Sequence, residues 1–318
     1  MPIIDVQHLH KRYGDIVAVD DVTLSVEEGE IFGILGPNGA GKTTSVECLI
    51  GLRQPDGGQV RVLGLDPRRD GAKLRQQVGV QLQESRLPDA IRVGEALELY
   101  ASFYRDPADP AALLDDLGLG AKAATAFEDL SGGQQQRLSI ALALIGRPKL
   151  AILDELTTGL DPQARRDTWH LVEQVRASGV TVVLVTHFMD EAERLCDRLA
   201  IIDRGRVVAT DTPAGLIGRV EASQLLRLRT VDPLDLQQLR DLPEVDEVTT
   251  EGEQLQVRGG RGLLYAVSSL LHRTGNDAVS LRLGQATLED AFVVLTGRPL
   301  SDGDDGPSPA GDHPQVPV

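Results

Sequence analysis

Short apolar runs alternate with stretches of helical pattern over about the first 215 residues of the chain. The early runs alternate apolar with polar residues or come in pairs, which is typical of antiparallel strands at a sheet edge. The later runs are almost wholly apolar, as expected for parallel strands buried on both faces. The pattern predicts an α/β layered fold. The predicted strands are residues 3–9, 20–26, 31–35, 59–62, 78–81, 150–153, 181–186 and 198–203.

Between residues 93 and 146 the pattern is helical only. Apolar side chains recur at every third or fourth position in 95–100 and 110–117, and no strand-like run intervenes. A helical subdomain of about residues 88–146 is therefore expected to interrupt the sheet.

A domain boundary is predicted near residues 215–222. The elements that follow alternate in the βαββαβ order of a ferredoxin-like unit. A last helix is expected after Thr287, because Asp290 three residues later completes a capping box. The predicted domains are residues 1–215 and 222–300, followed by an acidic tail at 301–318 that lacks Lys and Arg and is expected to be disordered. The elements predicted within the second domain are strands 225–230, 245–250, 254–258 and 278–283 and helices 234–242, 262–274 and 288–296.

Composition narrows the class of protein. The formal net charge of −16 argues against a surface that binds nucleic acid. The two cysteines, Cys48 and Cys196, are far apart in sequence and are expected to be buried apolar residues in a reducing compartment. The chain begins without a signal-peptide pattern, and no apolar run approaches the ~18 residues that span a bilayer. The expected location is cytoplasmic.

A glycine-rich stretch between the apolar run 31–35 and the helical pattern 45–50 carries the strongest chemical signal. Strand, glycine-rich turn and helix form the context of a Walker A motif, whose backbone N–H groups surround phosphates. Lys42 is placed to reach the β- and γ-phosphates of a nucleotide, and the Thr43 hydroxyl to ligate Mg²⁺. The motif consists of Gly36, Pro37, Asn38, Gly39, Ala40, Gly41, Lys42, Thr43 and Thr44.

Two acidic residues follow directly after the apolar run 150–153. A strand that delivers Asp154 to the phosphates supplies a ligand for Mg²⁺, and Glu155 is placed to accept a proton from an attacking water. An acidic pair at a strand end is common by itself. About 110 residues after a Walker A motif, it predicts nucleotide hydrolysis.

The sequence LSGGQ lies between these two motifs. Ser131 can cap the helix that follows, and the glycines leave its N–H groups open to an anion. This motif defines the ATP-binding cassette family, and the chain resembles an ABC ATPase over residues 1 to about 215. The resemblance implies a P-loop NTPase (RecA-like) core with an antiparallel β edge and a helical subdomain. It also assigns ATP contacts to Ser131, Gly132, Gly133 and Gln134.

Four further positions are identified by the same resemblance. Tyr13 matches the aromatic residue that stacks on adenine, although an ordinary edge-strand tyrosine remains the alternative. Gln83 matches the glutamine that reaches Mg²⁺ and water, with Gln81 as the competing choice. Asp161 matches the aspartate of the loop after the catalytic carboxylates, and His187 the histidine that donates to the γ-phosphate.

One residue departs from the family pattern. The family usually has proline after the catalytic glutamate, and this chain has Leu156. Because proline fixes φ, leucine is expected to loosen the turn. An effect on the rate is expected, and the chemistry is expected to persist.

The resemblance implies two kinds of partner. In a head-to-tail homodimer, Ser131 and Gly133 of one protomer close on ATP held by Lys42 of the other. A separate transmembrane permease is expected to dock in the groove between the core and the helical subdomain, near residues 83–87, which places the chain at the cytosolic face of the membrane. Glu84 and Arg86 are the candidate contacts, with an ordinary surface loop as the alternative for each. No nucleic-acid partner is expected.

The C-terminal part of the sequence indicates a particular group within the ABC family. The sequences ATLEDAF at 286–292 and LTGR at 295–298 resemble the ending of daunorubicin-resistance-type exporter ATPases, which implies export of a drug, antibiotic, lipid or polysaccharide. A soluble non-transport ABC ATPase and an importer subunit remain alternatives. The C-terminal domain is expected to stabilise a dimer, with a regulatory role as the other possibility.

Overall fold

The computed structural model describes residues 2–82, 87–219, 224–232, 234–252, 254–260, 262–284 and 286–298. The predicted contacts of Gln83, Glu84 and Arg86, and the tail at 301–318, lie outside the described residues. The strands are β1 Ile4–Tyr13, β2 Ile16–Val26, β3 Ile31–Leu35, β4 Gly57–Val62, β5 Val78–Gln81, β6 Leu150–Asp154, β7 Thr181–Thr186, β8 Arg198–Asp203, β9 Arg206–Asp211, β10 Gln224–Thr230, β11 Val245–Glu251, β12 Gln254–Gly259 and β13 Ala278–Gly284.

The helices are α1 Lys42–Leu49, α2 Gly71–Arg75, α3 Val93–Ala101, α4 Pro110–Asp116, α5 Gly132–Leu144, α6 Pro162–Ala177, α7 Met189–Leu195, α8 Pro213–Gly218, α9 Leu236–Arg240, α10 Leu263–Thr274 and α11 Leu288–Thr296. Within the described part of the chain, no helix is long and apolar enough to cross a membrane.

Nine strands form one mixed sheet in the order β4-β1-β2-β9-β8-β3-β7-β6-β5. The strands from β8 through β3, β7 and β6 to β5 are parallel to one another. β1, β2 and β4 pair antiparallel at the other side, as the alternating pattern predicts. The α/β fold class predicted from the sequence is confirmed. β9, which pairs with β8 and β2, was not among the predicted strands.

The central strand β3 is buried on both faces, which explains its uninterrupted apolar sequence. Ile31 and Leu35 enter one hydrophobic core, and Phe32 and Ile34 enter the other. The first core also contains the helices of residues 93–146, where, as predicted, the described elements are helical. This arrangement places the carboxyl ends of β3, β6 and β7 along one edge of the sheet.

A second sheet has the order β11-β12-β10-β13, with all neighbours antiparallel. This is the strand order of a ferredoxin-like unit, and it has its own core between the sheet and helices α9 and α10. The last helix, α11, leaves this unit. Leu288, Ala291 and Phe292 are fully buried in the core of the first sheet. The domain boundaries drawn from the sequence remain a prediction.

Candidate functional site

The loop between β3 and α1 approaches neighbouring backbone too closely for side chains. A Cβ on Gly36 would lie 2.2 Å from the carbonyl oxygen of Ile202. Gly41 has a φ of 97°, and a Cβ there would lie 2.3 Å from the carbonyl oxygen of Ala18. Glycine is therefore required at both positions. Asn38, Gly39 and Thr43 are exposed on the open side of the loop, where a phosphate chain would lie.

Lys42 begins α1, and its side chain folds back over the loop. Its Nζ donates to the carbonyl oxygens of Gly36 at 2.7 Å and Pro37 at 3.0 Å. Burial lowers the pKa of Lys42, while the charges of Glu155 and Asp154 raise it. The ammonium therefore lies within the field of both carboxylates, at a loop built to surround an anion.

Asp154 ends β6 with an almost fully buried side chain. Neither carboxylate oxygen has a hydrogen-bond partner, and burial, then the charge of Glu155, raises the pKa to about 6. Its backbone N–H donates to Oε1 of Gln81 at 3.0 Å, which ties the end of β6 to β5. A buried carboxylate with unpartnered oxygens fits a ligand of Mg²⁺.

The described side chains do not by themselves make a complete metal site. Among the described residues, no three His, Cys, Asp or Glu side chains gather as a metal-binding group. Asp154 could therefore supply one ligand to an ion that takes its other ligands elsewhere, and the exposed Thr43 at the start of α1 is the predicted second protein ligand. The predicted third protein ligand, Gln83, lies outside the described residues.

Glu155 occupies a strained turn directly after β6. Its φ of 50° is unusual for a residue with a Cβ, and the turn is held by the Glu155 N–H, which donates to the carbonyl oxygen of Val185 at 2.9 Å. Nδ1 of His187 lies 3.2 Å from Oε1 of Glu155. This hydrogen bond lowers the pKa of Glu155, whereas burial raises it. The carboxylate is thus kept ionised at the mouth of the site.

Leu156 packs into the main hydrophobic core with no exposed surface. The expectation that leucine loosens the turn rested on backbone freedom alone. Core packing of the side chain and the hydrogen bond to Val185 both restrain the turn. The effect of Leu156 on the rate remains a prediction.

The LSGGQ segment forms the start of α5. Ser131 Oγ accepts from the Gln134 N–H at 3.4 Å, and Gln134 Oε1 accepts from the Ser131 N–H at 3.0 Å, which completes a capping box. Ser131 and Gly132 are exposed. Gly133 lies against the helix that follows Asp161, because a Cβ there would lie 3.3 Å from Cβ of Ala164. Ser131 and Gly132 are therefore the part of the motif that faces outwards.

Two other predicted contacts lie at the surface. Asp161 caps α6 through Oδ1, which accepts from the N–H groups of Gln163 and Ala164, each at 2.9 Å. Tyr13, at the end of β1, is 40% exposed, with Nζ of Lys11 5.5 Å from its ring centroid. An exposed ring can stack on a base.

The structure gathers Lys42, Asp154, Glu155 and His187 around the carboxyl edge of the parallel strands. Ser131 is exposed at the start of a separate helix. The turn after β8 also contributes to the site and was not predicted from the sequence; in it, the Gly205 N–H donates to the Ala40 carbonyl oxygen at 2.9 Å. A DRG sequence after an apolar strand is the only local signal of that turn.

Comparison with known proteins agrees with this geometry. The chain matches the sequence model of the ABC transporter family over residues 19–158. The Nod factor export ATP-binding protein I of Burkholderia pseudomallei (strain 1710b) is 38% identical over 318 residues, covering 94% of this chain and 98% of the relative. That of Ralstonia nicotianae is 38% identical over 310 residues, covering 95% and 96%. That of Mesorhizobium japonicum is 36% identical over 307 residues, covering 94% and 88%.

Solved structures of ABC transporter subunits match about two thirds of the chain. A structure described as the ATP binding subunit of an ABC transporter has a TM-score of 0.62 at 29% identity, covering 68% of this chain and 92% of that chain. The dimeric structure of a bacterial ABC transporter cassette has a TM-score of 0.59 at 29% identity, covering 66% and 98%.

Proposed function

The chain belongs to the ABC transporter family as an ATP-binding, ATP-hydrolysing subunit, and on this premise we propose that it powers export through a separate membrane permease. The observation that carries the ATP-driven part of the proposal is the pairing of a buried, unpartnered Asp154 with an ionised Glu155 beside the phosphate-binding loop. These groups supply what phosphoryl transfer to water requires, which is charge neutralisation and a positioned base.

We propose that, when ATP binds, Nζ of Lys42 gives up its hydrogen bonds to the Gly36 and Pro37 carbonyl oxygens and donates to β- and γ-phosphate oxygens instead. The amide groups of residues 36–44 surround the same phosphates, and the Tyr13 ring stacks on the adenine. Mg²⁺, when bound, would supply further neutralisation of the phosphate charge. Thr43 and Asp154 would hold this ion.

Glu155 acts on the water that attacks the γ-phosphate. Its carboxylate is ionised at neutral pH, and the His187 hydrogen bond lowers its pKa further, against the effect of burial. His187 holds the carboxylate in one orientation in the free enzyme. Rotation of the imidazole towards the γ-phosphate would free Glu155 to orient water, with His187 then acting as a donor to phosphate oxygen.

The exposed Ser131 and Gly132 of the LSGGQ segment support a dimer in which each site is shared. We propose that Ser131, Gly132, Gly133 and Gln134 of one protomer, with Asp161 nearby, close over ATP bound to the other protomer. The start of α5 adds the positive end of a helix dipole to such a site. A head-to-tail arrangement with two-fold symmetry completes both sites at once.

An apolar groove supports docking of the permease. A cavity of about 570 Å³ is lined by residues of α2 and β5, by Ile50 and Leu52 after α1, and by Tyr100, Phe103 and Tyr104 at the end of α3. Leu52 and Phe103 line it and are 58% and 61% exposed, an arrangement suited to an apolar helix from a membrane protein. We propose that this groove anchors the chain at the cytosolic face of the membrane.

Export is favoured over import by the relatives, which are named for Nod factor export and cover 94–95% of this chain. We propose an exported substrate of the drug, antibiotic or lipid class, as in daunorubicin-resistance-type exporters. The C-terminal sequences ATLEDAF and LTGR support this subtype.

The test is purification of the tagged chain from detergent-solubilised native membranes, with mass spectrometry of the co-purifying proteins. We expect a stoichiometric polytopic protein that lacks an ATPase domain. Phe103→Asp should abolish its recovery, whereas Tyr265→Asp, at an 80% exposed aromatic residue far along the chain, should not. Recovery of soluble partners or ribosomes only would leave the ATPase and contradict the transport function.

A further inference from the structure

The turn between β8 and β9 forms one wall of the phosphate-binding loop. The Gly205 N–H donates to the carbonyl oxygen of Ala40 at 2.9 Å. The backbone of Gly36 lies against the carbonyl of Ile202, and that of Gly41 lies against the Cα of Gly205. The loop that surrounds the phosphates is therefore braced from outside by residues 202–205.

The same turn is held from its far side by the C-terminal end of the described chain. The guanidinium of Arg298 donates to the carboxylate of Asp203, whose side chain is 10% exposed. Arg298 follows α11 directly, and Thr296 Oγ1 donates to the Arg298 carbonyl oxygen at 3.0 Å, which fixes the chain as it leaves the helix. Asp203 is thus placed between the C-terminal segment and the loop wall.

Helix α11 is itself fixed to the nucleotide-binding part of the chain. It packs against α7, α8 and β9. α7 begins two residues after His187, so the same helix contacts the element behind the catalytic histidine. Its other end is joined to the second sheet by an ion pair between Arg258 and Asp290 at 3.3 Å. α11 therefore joins the second sheet to both sides of the phosphate site.

We propose that Asp203 and Arg298 are positioning residues for the phosphate-binding loop, and that through them the C-terminal segment sets the affinity for nucleotide. The Arg298 guanidinium holds the Asp203 carboxylate, and Asp203 thereby fixes the turn after β8. The Gly205 N–H of that turn then holds the carbonyl oxygen of Ala40 in the phosphate-binding loop. Loss of the ion pair lets the turn move away from the loop, and the loop then spends less time in the conformation that binds phosphate. The inference rests on the proposed assignment of residues 36–44 as the phosphate site.

The first test compares Mg-ADP binding to the purified full-length chain by isothermal titration calorimetry. Arg298→Ala and Asp203→Asn should each raise the Kd by about fivefold, the lower end of couplings between linked sites. Arg298→Lys should stay within about twofold of wild type, because a single nitrogen makes the contact and a point charge can replace it.

Arg258→Ala is the matched control, since it removes the ion pair at the other end of α11 and leaves Asp203 paired. It should bind Mg-ADP as the wild type does. An equal loss of affinity in Arg258→Ala and Arg298→Ala, with equal losses of melting temperature, would mean general destabilisation and would overturn the proposal.

The second test uses reciprocity. If nucleotide affinity depends on α11, nucleotide must in turn stabilise α11. Hydrogen–deuterium exchange of residues 288–297 should slow on addition of Mg-ADP in the wild type and in Arg258→Ala, and should be unchanged in Arg298→Ala. A slowdown of equal size in all three proteins would overturn the proposal.

Lys42→Ala in the same titration separates this inference from the proposed function. If Lys42→Ala binds Mg-ADP as the wild type does, the phosphate-site assignment fails and the inference fails with it. If Lys42→Ala loses binding while Arg298→Ala and Asp203→Asn bind normally, the site stands and only the positioning role is overturned.

Discussion

Nδ1 of His187 lies 3.2 Å from Oε1 of Glu155, at the carboxyl ends of the adjacent strands β7 and β6. The proton of this hydrogen bond resides on Nδ1, because an ionised carboxylate can only accept. The contact lowers the pKa of Glu155 and fixes its orientation on a turn with a φ of 50°. The base and the predicted γ-phosphate donor are therefore coupled before any nucleotide arrives.

Removing the imidazole should shift the pH dependence of hydrolysis. Without His187, burial remains and the pKa of Glu155 rises from its lowered value. In the proposed mechanism activity requires the ionised carboxylate, and kcat/KM reports the pKa of the free enzyme, in which His187 contacts Glu155. The acid limb of the pH profile of kcat/KM should therefore move to higher pH in His187→Ala. The rate should also fall by about 10²-fold, as is typical when a transition-state donor is lost.

A surface pair provides the matched control for this measurement. Nδ1 of His170 lies 3.1 Å from Oε2 of Glu173, outside the site, so His170→Ala should keep the wild-type profile. An unchanged acid limb in His187→Ala would contradict the coupling of His187 to Glu155.

Glu155→Gln should bind ATP and fail to hydrolyse it. The amide keeps the shape of the side chain and cannot accept a proton, so the rate should fall by about 10²- to 10⁴-fold. The variant should accumulate an ATP-dependent dimer, measured by size-exclusion chromatography with light scattering. The double variant Lys42→Ala/Glu155→Gln is the control and should stay monomeric. A Glu155→Gln chain that remains monomeric with saturating ATP would refute either the shared site or the role of Glu155.

Asp154→Asn should stabilise the metal-free, nucleotide-free protein. The pKa of Asp154 is raised from 3.8 in the unfolded chain to about 6 in the folded one, so the folded state holds the proton more tightly. Wild-type stability therefore falls as pH rises between these values. Above pH 6, the ionised carboxylate should cost the wild type about 3 kcal/mol relative to the neutral asparagine.

Thermal unfolding in a chelator between pH 3.5 and 8 measures this difference. Asp56→Asn is the control and should lower the melting temperature, the opposite of Asp154→Asn, because the Arg12 N–H and Lys11 lower the pKa of Asp56. Equal melting temperatures of Asp154→Asn and wild type at pH 8 would show that Asp154 is not penalised by burial.

Leu156→Ala should lower the free energy of unfolding by about 2–5 kcal/mol, since the side chain is fully buried in the main core. Leu99→Ala, at a 48% exposed position on α3, should change it by no more than about 0.5 kcal/mol. Urea unfolding followed by circular dichroism distinguishes the two. A cost below 1 kcal/mol for Leu156→Ala, the low end of large-to-small core substitutions, would mean that Leu156 does not anchor the catalytic turn.

Local sequence pattern predicted most of the first sheet because its central strands are continuous apolar runs. β3, β5, β7 and β8 begin and end at the predicted residues. β9 was missed because it pairs at a hairpin after Gly205, and its sequence RVVATD is only partly apolar. The phosphate loop and the acidic strand end were predicted because each motif is local in sequence.

Contacts between distant segments could not be predicted in this way. Gln81 was the competing candidate for Gln83, and its contact with the Asp154 N–H depends on which strand lies beside β6. Helix α11 was assigned to the C-terminal domain because it follows β13 in sequence. Its apolar face packs against the first core, and nothing in its own pattern specifies that partner.

The claim that each ATP is shared between protomers is tested most directly by mixing two inactive variants. Lys42→Ala should inactivate the phosphate loop, and Ser131→Arg should block the LSGGQ surface. In a head-to-tail dimer, a mixed pair contains one site with wild-type Lys42 and wild-type Ser131. The mixture should therefore recover up to roughly a quarter of wild-type ATPase activity, since about half of the dimers are mixed and each has one intact site. A mixture as inactive as its components would contradict the shared site.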